Sequence, residues 1–274
     1  MATKADWQDA TGKVWAENFD LTDRAFSNFT PRLLDRIAAF PGQTILDIGC
    51  GAGELALALA QTRPESSVTG LDISSELVAT ATKRASGVRN IRFTVGDAAT
   101  WQEDRFSPDL VVSRHGVMFF DDPVAAFTHF HSVAAVGAQL VFSCFRAPQL
   151  NAWVSEVGRV LELPPPEDPN APGPFAFADD ARVRQILGAA GWCNINLEAV
   201  DFDFVVGEGS DPVTDAENFL TTIGPAARVL AEMAPSERDA AKTRLRQWIV
   251  QLPQADGRIT LPAAVWIVTA RKGQ

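Results

Sequence analysis

The stretch Leu46-Asp47-Ile48-Gly49-Cys50-Gly51-Ala52-Gly53-Glu54 decides the fold of this chain. A short run ending in apolar residues, 43–48, precedes the glycines, and the strongly helix-forming run 55–60 follows them. This order predicts a strand, a glycine loop and a helix. Glycine accepts positive φ and lets a ligand approach the main chain, and the unpaired N–H groups that open the helix face that ligand. A tight strand-to-helix turn without a ligand is the alternative.

The spacing of the glycines separates two classes of ligand. The dinucleotide fingerprint is Gly-x-Gly-x-x-Gly, but Glu54 stands three residues after Gly51, so a pyrophosphate is disfavoured. Two later strand-like runs carry acids, Asp72 in 68–73 and Asp97 in 91–98. Asp72 can accept hydrogen bonds from both hydroxyls of a ribose, and Asp97 offers a second acid at the same end of the sheet. The alternatives are a strand-end cap for Asp72 and a turn residue for Asp97.

These three motifs, in this order, resemble those of the S-adenosylmethionine-dependent methyltransferases with a Rossmann-like class I sheet, labelled methyltransferase type 11 or ubiquinone-menaquinone biosynthesis methyltransferase-like. The resemblance covers roughly residues 43–145. It implies that the 49–53 loop lies against the amino acid moiety of S-adenosylmethionine, that Asp72 binds the ribose, and that Asp97 and Ala98 hold the adenine. The cofactor-binding residues expected on this basis are Asp47, Gly49, Cys50, Gly51, Gly53, Asp72, Ile73, Gly96, Asp97, Ala98, Ser113 and Trp15.

Strands and helices alternate between residues 43 and 145, which predicts an α/β fold. The expected architecture is a Rossmann-like doubly wound sheet, mostly parallel with an antiparallel C-terminal strand, plus helical lid insertions. One methyltransferase domain, 1–274, is divided into an N-terminal helical lid (1–42), a cofactor-binding core (43–145), a lid and helix (146–194), and edge strands (195–274) with a helical insert (207–258).

The predictions of a lid and of a helical insert rest on weaker sequence patterns. Trp15 and Phe19 are predicted to share one helical face, either as part of a lid or as core packing. Six prolines between 164 and 174 stiffen the 146–178 segment, which is either a cover over the acceptor pocket or a surface excursion. Two helices are expected in the insert, with capping boxes at Thr214/Glu217 and Ser236/Asp239.

The predicted fourth strand continues as Ser113-Arg114-His115-Gly116, and the resemblance implies that this strand ends beside the transferred methyl group. An Asn-Pro-Pro-aromatic stretch, which grips planar amines in related enzymes, is absent, so a small hydroxyl, thiol or carbon acceptor is favoured. His115, with an ordinary pKa near ~6.5, is the candidate general base. The alternative is a loop histidine satisfied by the backbone. Arg114 either anchors an anionic acceptor or forms a surface ion pair.

Composition narrows the remaining choices. A net charge of −10 argues against a nucleic-acid partner. The absence of a long apolar run and of a signal peptide's apolar core predicts a cytoplasmic protein without a membrane span. Cys50, Cys144 and Cys193 are expected to be free, mostly buried thiols, and no cysteine or histidine spacing indicates a metal site.

The sequence therefore predicts a metal-independent methyltransferase that acts on a small-molecule acceptor, with O-methylation favoured over C-methylation. The alternatives are an NAD-dependent oxidoreductase, which shares the sheet, and a non-catalytic accessory protein that binds the cofactor.

Overall fold

The computed structural model describes residues 4–164 and 168–273 of the chain. Within these ranges an eight-stranded sheet has the spatial order β3-β2-β1-β4-β5-β8-β6, with β7 paired to β8. The strands are β1 (Thr44–Ile48), β2 (Ser67–Asp72), β3 (Ile91–Val95), β4 (Leu110–Arg114), β5 (Gln139–Phe145), β6 (Trp192–Glu208), β7 (Gln254–Ala255) and β8 (Arg258–Lys272).

The first five strands are parallel, and β1 pairs with both β2 and β4. The chain winds outward from β1 to β3 and then returns to place β4 on the other side of β1. Ligands of such sheets bind beyond the carboxyl ends of the strands at this switch point. Here the two loops touch, because a Cβ on Gly116 would lie 2.6 Å from the Ile48 carbonyl oxygen and 2.9 Å from the Gly49 Cα. The predicted doubly wound sheet is confirmed.

The helices pack on both faces of the sheet and beyond its edge. Several begin at a side-chain cap, as α6 does at Ser74, which accepts a hydrogen bond from the Leu77 N–H. The helices are α1 (Lys4–Gln8), α2 (Ala10–Glu17), α3 (Phe19–Ala25), α4 (Thr30–Ala38), α5 (Glu54–Thr62), α6 (Ser75–Arg84), α7 (Pro123–Val133), α8 (Ala152–Val160), α9 (Asp180–Ala189), α10 (Pro212–Thr222), α11 (Pro225–Glu232) and α12 (Pro235–Ile249). In the described ranges no helix has the length and hydropathy needed to cross a bilayer.

The prediction that Trp15 and Phe19 share one helix is wrong. The first helix of the pair ends at Glu17, and Asn18 separates it from α3. Asn18 has a φ of −124° and a ψ of 33°, outside the helical region, and both its backbone N–H and its side-chain amide donate to the Val14 carbonyl, which ends α2. Both aromatic rings nevertheless line the same cavity.

The C-terminal hairpin is confirmed, because β8 lies antiparallel between β5 and β6. The insert between β6 and β7 holds three helices instead of the expected two. The third, α11, begins after Gly224, whose φ of +93° favours glycine and interrupts the helical run that ends at Thr222.

Both predicted capping boxes are also wrong. Asp211 caps α10 ahead of Pro212, and α12 begins at Pro235 without a side-chain cap. The fixed φ of proline suits the first position of a helix, so both helices begin at their prolines and not after the Thr or Ser of the predicted capping boxes.

Candidate functional site

A cavity of about 1300 Å³ opens beyond the carboxyl ends of β1, β2 and β4. It exceeds the roughly 300–1,000 Å³ of a pocket for one drug-sized ligand. His115 and ten of the expected cofactor-binding residues line it, whereas Gly53 and Ser113 do not. The ten are Trp15, Asp47, Gly49, Cys50, Gly51, Asp72, Ile73, Gly96, Asp97 and Ala98.

The glycines of the loop have different structural tasks. Gly49, with φ of +63°, leaves room for Gly116, since a Cβ would lie 2.8 Å from the Gly116 Cα. Gly51 has φ of +54° and open space where its Cβ would stand. A Cβ on Gly53 would lie 2.8 Å from the Phe93 ring, so Gly53 permits helix packing and is not on the cavity wall.

Asp72 ties the glycine loop to the end of β2. One carboxylate oxygen accepts the Gly51 N–H at 2.8 Å, and the other accepts the Ser74 N–H at 2.9 Å. Burial raises the pKa of Asp72, and these backbone donors oppose the shift. The strand-end cap that sequence analysis left open is therefore present. Each oxygen keeps a lone pair for a ligand hydroxyl.

Asp47 is a buried carboxyl group without a hydrogen-bond partner. Asp47 is 1% exposed, and neither of its carboxyl oxygens forms a hydrogen bond with a described residue. Burial raises the pKa of Asp47 to about 8; Arg114 opposes the shift, Asp72 adds to it, and the Ala56 backbone N–H, which lies too far away or too poorly aligned for a regular hydrogen bond, opposes it least. An unpaired buried carboxylate is costly, so the group is protonated near neutral pH until a cation comes beside it.

Asp97 forms a turn and an ion pair. Its Oδ1 accepts the Ala99 N–H at 3.0 Å, while its backbone carbonyl accepts the N–H of Trp101 at 2.8 Å. The Lys4 Nζ lies 2.5 Å from the Asp97 Oδ2. Lys4 was not expected at the site, because no local pattern connects it to a strand end so far along the chain.

Ser113, an expected cofactor residue, instead holds the β4 loop in place. Its hydroxyl donates to the Ile48 carbonyl at 2.7 Å and accepts the Gly116 N–H at 3.1 Å. The residue is 1% exposed and lies behind the cavity wall.

Arg114 matches neither of its two expected roles. Its guanidinium pairs with Glu54, lies 3.7 Å from the Asp23 carboxylate, and donates to the Thr30 hydroxyl at 2.8 Å. Burial raises the pKa of Glu54 to about 7, and Arg114 opposes that shift. This cluster joins α3 and α4 to the start of α5. It is neither a surface pair nor a free anion-binding cation.

His115 lies in an aromatic sandwich in a strained conformation. Its φ of +61° is uncommon for a residue with a Cβ. Its Nδ1 is 3.1 Å from the Ser143 hydroxyl, whereas its buried Nε2 has no partner among the described residues. The ring centroid lies 4.3 Å from that of Phe145 and 4.8 Å from that of Phe26.

The ordinary pKa expected for His115 is wrong. Burial lowers the pKa of His115 well below its usual value of 6.5, and the Arg114 charge lowers it further. The imidazole is therefore neutral near neutral pH. If Nδ1 donates to Ser143, the lone pair is on Nε2, as a general base requires.

The far side of the cavity is aromatic. Trp153 packs against Phe145 and Phe204 with centroid separations of 5.0 and 5.5 Å, and its buried Nε1 has no hydrogen-bond partner in the part of the chain that the structure describes. Residues of α1, α10 and α11 also line this wall, and sequence analysis missed them because no short motif marks them. From the 146–178 segment, Trp153 and Pro174 reach the cavity. The prolines predicted to stiffen it at 165 and 166 lie outside the described residues.

The cysteine prediction is confirmed: Cys50 and Cys144 are buried, Cys193 is exposed, and all three are free. Across 4–164 and 168–273, no group of three or more His, Cys, Asp or Glu side chains is arranged to hold a metal ion.

Comparisons with known proteins agree with the sheet and the motifs. Residues 45–137 match a family model described as a methyltransferase domain. Aklanonic acid methyltransferase DauC from Streptomyces sp. (strain C5) is 35% identical over 127 residues, which cover 43% of this chain and 58% of DauC. A malonyl-[acyl-carrier protein] O-methyltransferase from Herminiimonas arsenicoxydans is 24% identical over 247 residues, which cover 89% of this chain and 86% of that protein.

A solved structure of Haemonchus contortus phosphoethanolamine N-methyltransferase 2, with phosphomonomethylethanolamine and S-adenosylhomocysteine, has the same fold. Its TM-score is 0.61 at 17% identity, over 100% of this chain and 61% of that one. The chain spans about half the length of the first two curated relatives it matches.

Proposed function

Because residues 45–137 belong to the S-adenosylmethionine-dependent methyltransferases with a Rossmann-like sheet, we propose that this chain transfers a methyl group from S-adenosylmethionine to a small-molecule acceptor. We also propose that residues 1–274 act as one methyltransferase domain, since the sheet takes strands from Thr44 to Lys272. The acceptor atom we propose is a hydroxyl oxygen.

The observation that carries this proposal is the unpaired Asp47 carboxyl group beside the glycine loop. S-adenosylmethionine is a cation with an ammonium group, two ribose hydroxyls and an adenine. Asp47 suits the ammonium group, because a nearby positive charge offsets the cost of ionising a buried carboxyl. Asp72 suits the ribose and Asp97 the adenine amino group, and all three acids line one cavity.

When bound, S-adenosylmethionine supplies a methyl group on a sulfonium, which is already a good leaving group. The protein's main contribution is to align the acceptor oxygen and exclude water. The aromatic wall excludes water, and Ser143 fixes the ring of His115. The neutral Nε2 of His115 is the site to which the hydroxyl proton passes as the oxygen attacks.

The oxidoreductase alternative has less support. Glu54 occupies the position of the third fingerprint glycine and opens α5, where a pyrophosphate would have to bind. Glu54 brings a side chain and an acidic group to the helix end at which the fingerprint glycine lets a pyrophosphate approach the backbone.

Calorimetry with S-adenosylhomocysteine and with NAD tests the proposed cofactor. S-adenosylhomocysteine should bind, and Asp72→Ala should weaken it by about 1.5–3 kcal/mol, the usual cost of losing hydrogen bonds to a charged group. Asp104→Ala, an exposed site outside the cavity, is the matched control. Tighter binding of NAD than of S-adenosylhomocysteine, or an unchanged affinity in a folded Asp72→Ala, would refute the assignment.

A further inference from the structure

We propose that the acceptor is an uncharged, planar aromatic molecule bearing a hydroxyl group, bound against the ring wall that contains His115, Phe145 and Trp153. This inference rests on the proposed function, and it names the substrate class of the same cavity.

The cavity has room for a second ligand. A site for one drug-sized ligand measures about 300–1,000 Å³, and this cavity measures about 1300 Å³. Asp47, Asp72 and Asp97 belong to the end formed by β1, β2 and β3. The other end is formed by β5, β6, α8, α10 and α11, and it contains neither the glycine loop nor these acids.

The walls of this second end are rings. Phe145 contacts both His115, at a centroid separation of 4.3 Å, and Trp153, at 5.0 Å. Phe204 contacts Trp153 at 5.5 Å and Phe219 at 5.7 Å. Flat ligands gain most from such walls, because offset and edge-to-face ring contacts add to the burial of apolar area.

The positive charges of the cavity are already paired, which argues against an anionic acceptor. Arg114 is held by Glu54 and Asp23, Lys4 by Asp97, and Arg228 by Glu232. These are the lysines and arginines that line the cavity within 4–164 and 168–273. A carboxylate or phosphate would have to break one of these pairs or enter without a partner, and burying an unpaired anion is costly.

A cationic acceptor is disfavoured by a different contact pattern. An aromatic cage binds a cation over open ring faces. The Trp153 ring is already stacked on Phe204 and on Phe175, at interplanar angles of 30° and 25°, so it offers less open face to a cation, whereas a planar ring can still make edge-to-face contacts with the wall.

Two buried polar atoms in the ring wall, Trp153 Nε1 and His115 Nε2, have no hydrogen-bond partner among residues 4–164 and 168–273. Buried polar groups without partners are rare. Trp153 Nε1 can only donate, so a partner for it has to be an oxygen or another acceptor. Both heterocycles contact Phe145, which places the two atoms in the same ring wall of the cavity.

The test is calorimetry on the full chain saturated with S-adenosylhomocysteine, with 1-naphthol, 1-naphthoate and choline as probes. We expect 1-naphthol to bind at least about tenfold more tightly than either charged probe, a difference of about 1.4 kcal/mol. Tighter binding of 1-naphthoate or choline, or no binding of 1-naphthol, would overturn the inference. Failure of S-adenosylhomocysteine itself to bind would instead overturn the proposed function.

Variants locate the probe. Trp153→Leu should weaken 1-naphthol by at least about tenfold, as expected for the loss of a buried aromatic contact, and should leave S-adenosylhomocysteine binding unchanged. Trp248→Leu, a partly buried tryptophan on α12 outside the cavity, is the control and should change neither. Trp153→Phe keeps a ring and guards against misfolding; it should weaken 1-naphthol less than Trp153→Leu does. Equal affinities of the wild type and Trp153→Leu would place the probe elsewhere and refute the site.

Discussion

The unpaired Asp47 carboxyl group should destabilise the ligand-free protein and be required for cofactor binding. We therefore expect Asp47→Asn to increase the free energy of unfolding near neutral pH. The reason is linkage. The unfolded chain releases the Asp47 proton at its ordinary pKa of 3.8, while burial keeps the folded-state pKa of Asp47 at about 8. Between these values the unfolded state binds fewer protons, so stability falls as the pH rises and becomes level above about pH 8.

The magnitude follows from the size of the shift. Each pKa unit is worth about 1.4 kcal/mol, and at about pH 7 roughly three units separate the pH from the unfolded-state value. The largest stabilisation expected from Asp47→Asn is therefore about 4 kcal/mol. The effective dielectric constant of protein sites is higher than that of a dry interior, so we expect about 1–3 kcal/mol of added stability in Asp47→Asn.

Urea denaturation of the wild type and Asp47→Asn, at about pH 5 and about pH 8, measures this effect. The difference in free energy of unfolding between the two proteins should be larger at the higher pH than at the lower pH. Asp104→Asn, at an exposed site outside the cavity, removes one carboxylate without this burial and is the control. Destabilisation by Asp47→Asn at both pH values would show that the ligand-free carboxylate is ionised and satisfied, and the reasoning would fail.

Ligand binding supplies the second half of the same test. If the ammonium group of S-adenosylhomocysteine ionises Asp47, binding to the wild type near neutral pH should release close to one proton. Calorimetry in buffers with different ionisation enthalpies measures that release. Asp47→Asn should bind at least about tenfold more weakly and should release no proton from this position. Equal proton release by the two proteins would assign the ionisation to another group.

Three further outcomes follow from the same geometry. Arg114→Met should cost about 1–3 kcal/mol in urea denaturation, because it removes the partly buried hydrogen bonds to Glu54 and Thr30, while Asp23 keeps its ion pair with Arg84. Arg159→Met, which removes an exposed pair with Glu156, should cost less than about 1 kcal/mol. Similar costs would mean that the Arg114 cluster is solvated. His115→Ala should reduce turnover by roughly 10²- to 10⁴-fold. Because the pKa of His115 is lowered, the acidic limb of the wild-type pH–rate profile should lie below about pH 6.5. A loss of turnover of less than about tenfold would exclude the base role. Trypsin cleavage at Lys13, an exposed residue of α2, should slow when S-adenosylhomocysteine is bound, because α1 and α2 line the cavity. Equal cleavage rates with and without the ligand would exclude a lid role for these helices.

The parts of the site that sequence analysis found are those encoded locally. The 46–54 stretch combines a strand, three glycines and a helix start in nine positions, and positive φ at Gly49 and Gly51 leaves few other residues possible. Asp72 and Asp97 each follow a short apolar strand, and parallel strands bring their carboxyl ends to one edge. A periodicity of two and of 3.6 residues was enough to place most of the elements.

The errors lie where capping or helix continuity depended on the conformation of a single residue. At Asn18 non-helical dihedral angles separate two helices that a four-residue spacing had joined. In the insert, α10 and α12 begin at prolines, and a third helix begins after Gly224. The free energies of alternative helix starts differ by only about 1 kcal/mol, and a spacing pattern does not resolve a difference of that size.

The sequence by itself determined the α/β sheet, the glycine loop and the acids at the strand ends, because each is fixed by residues close together in the chain. Only the tertiary structure decided how charge and rings are distributed around them. Arg114 meets Asp23 and Glu54 from separate elements, and His115 loses its ordinary pKa because distant phenylalanines bury it. Burial and pairing depend on the three-dimensional neighbours of a group, and those neighbours come from segments whose separation along the chain leaves no local pattern.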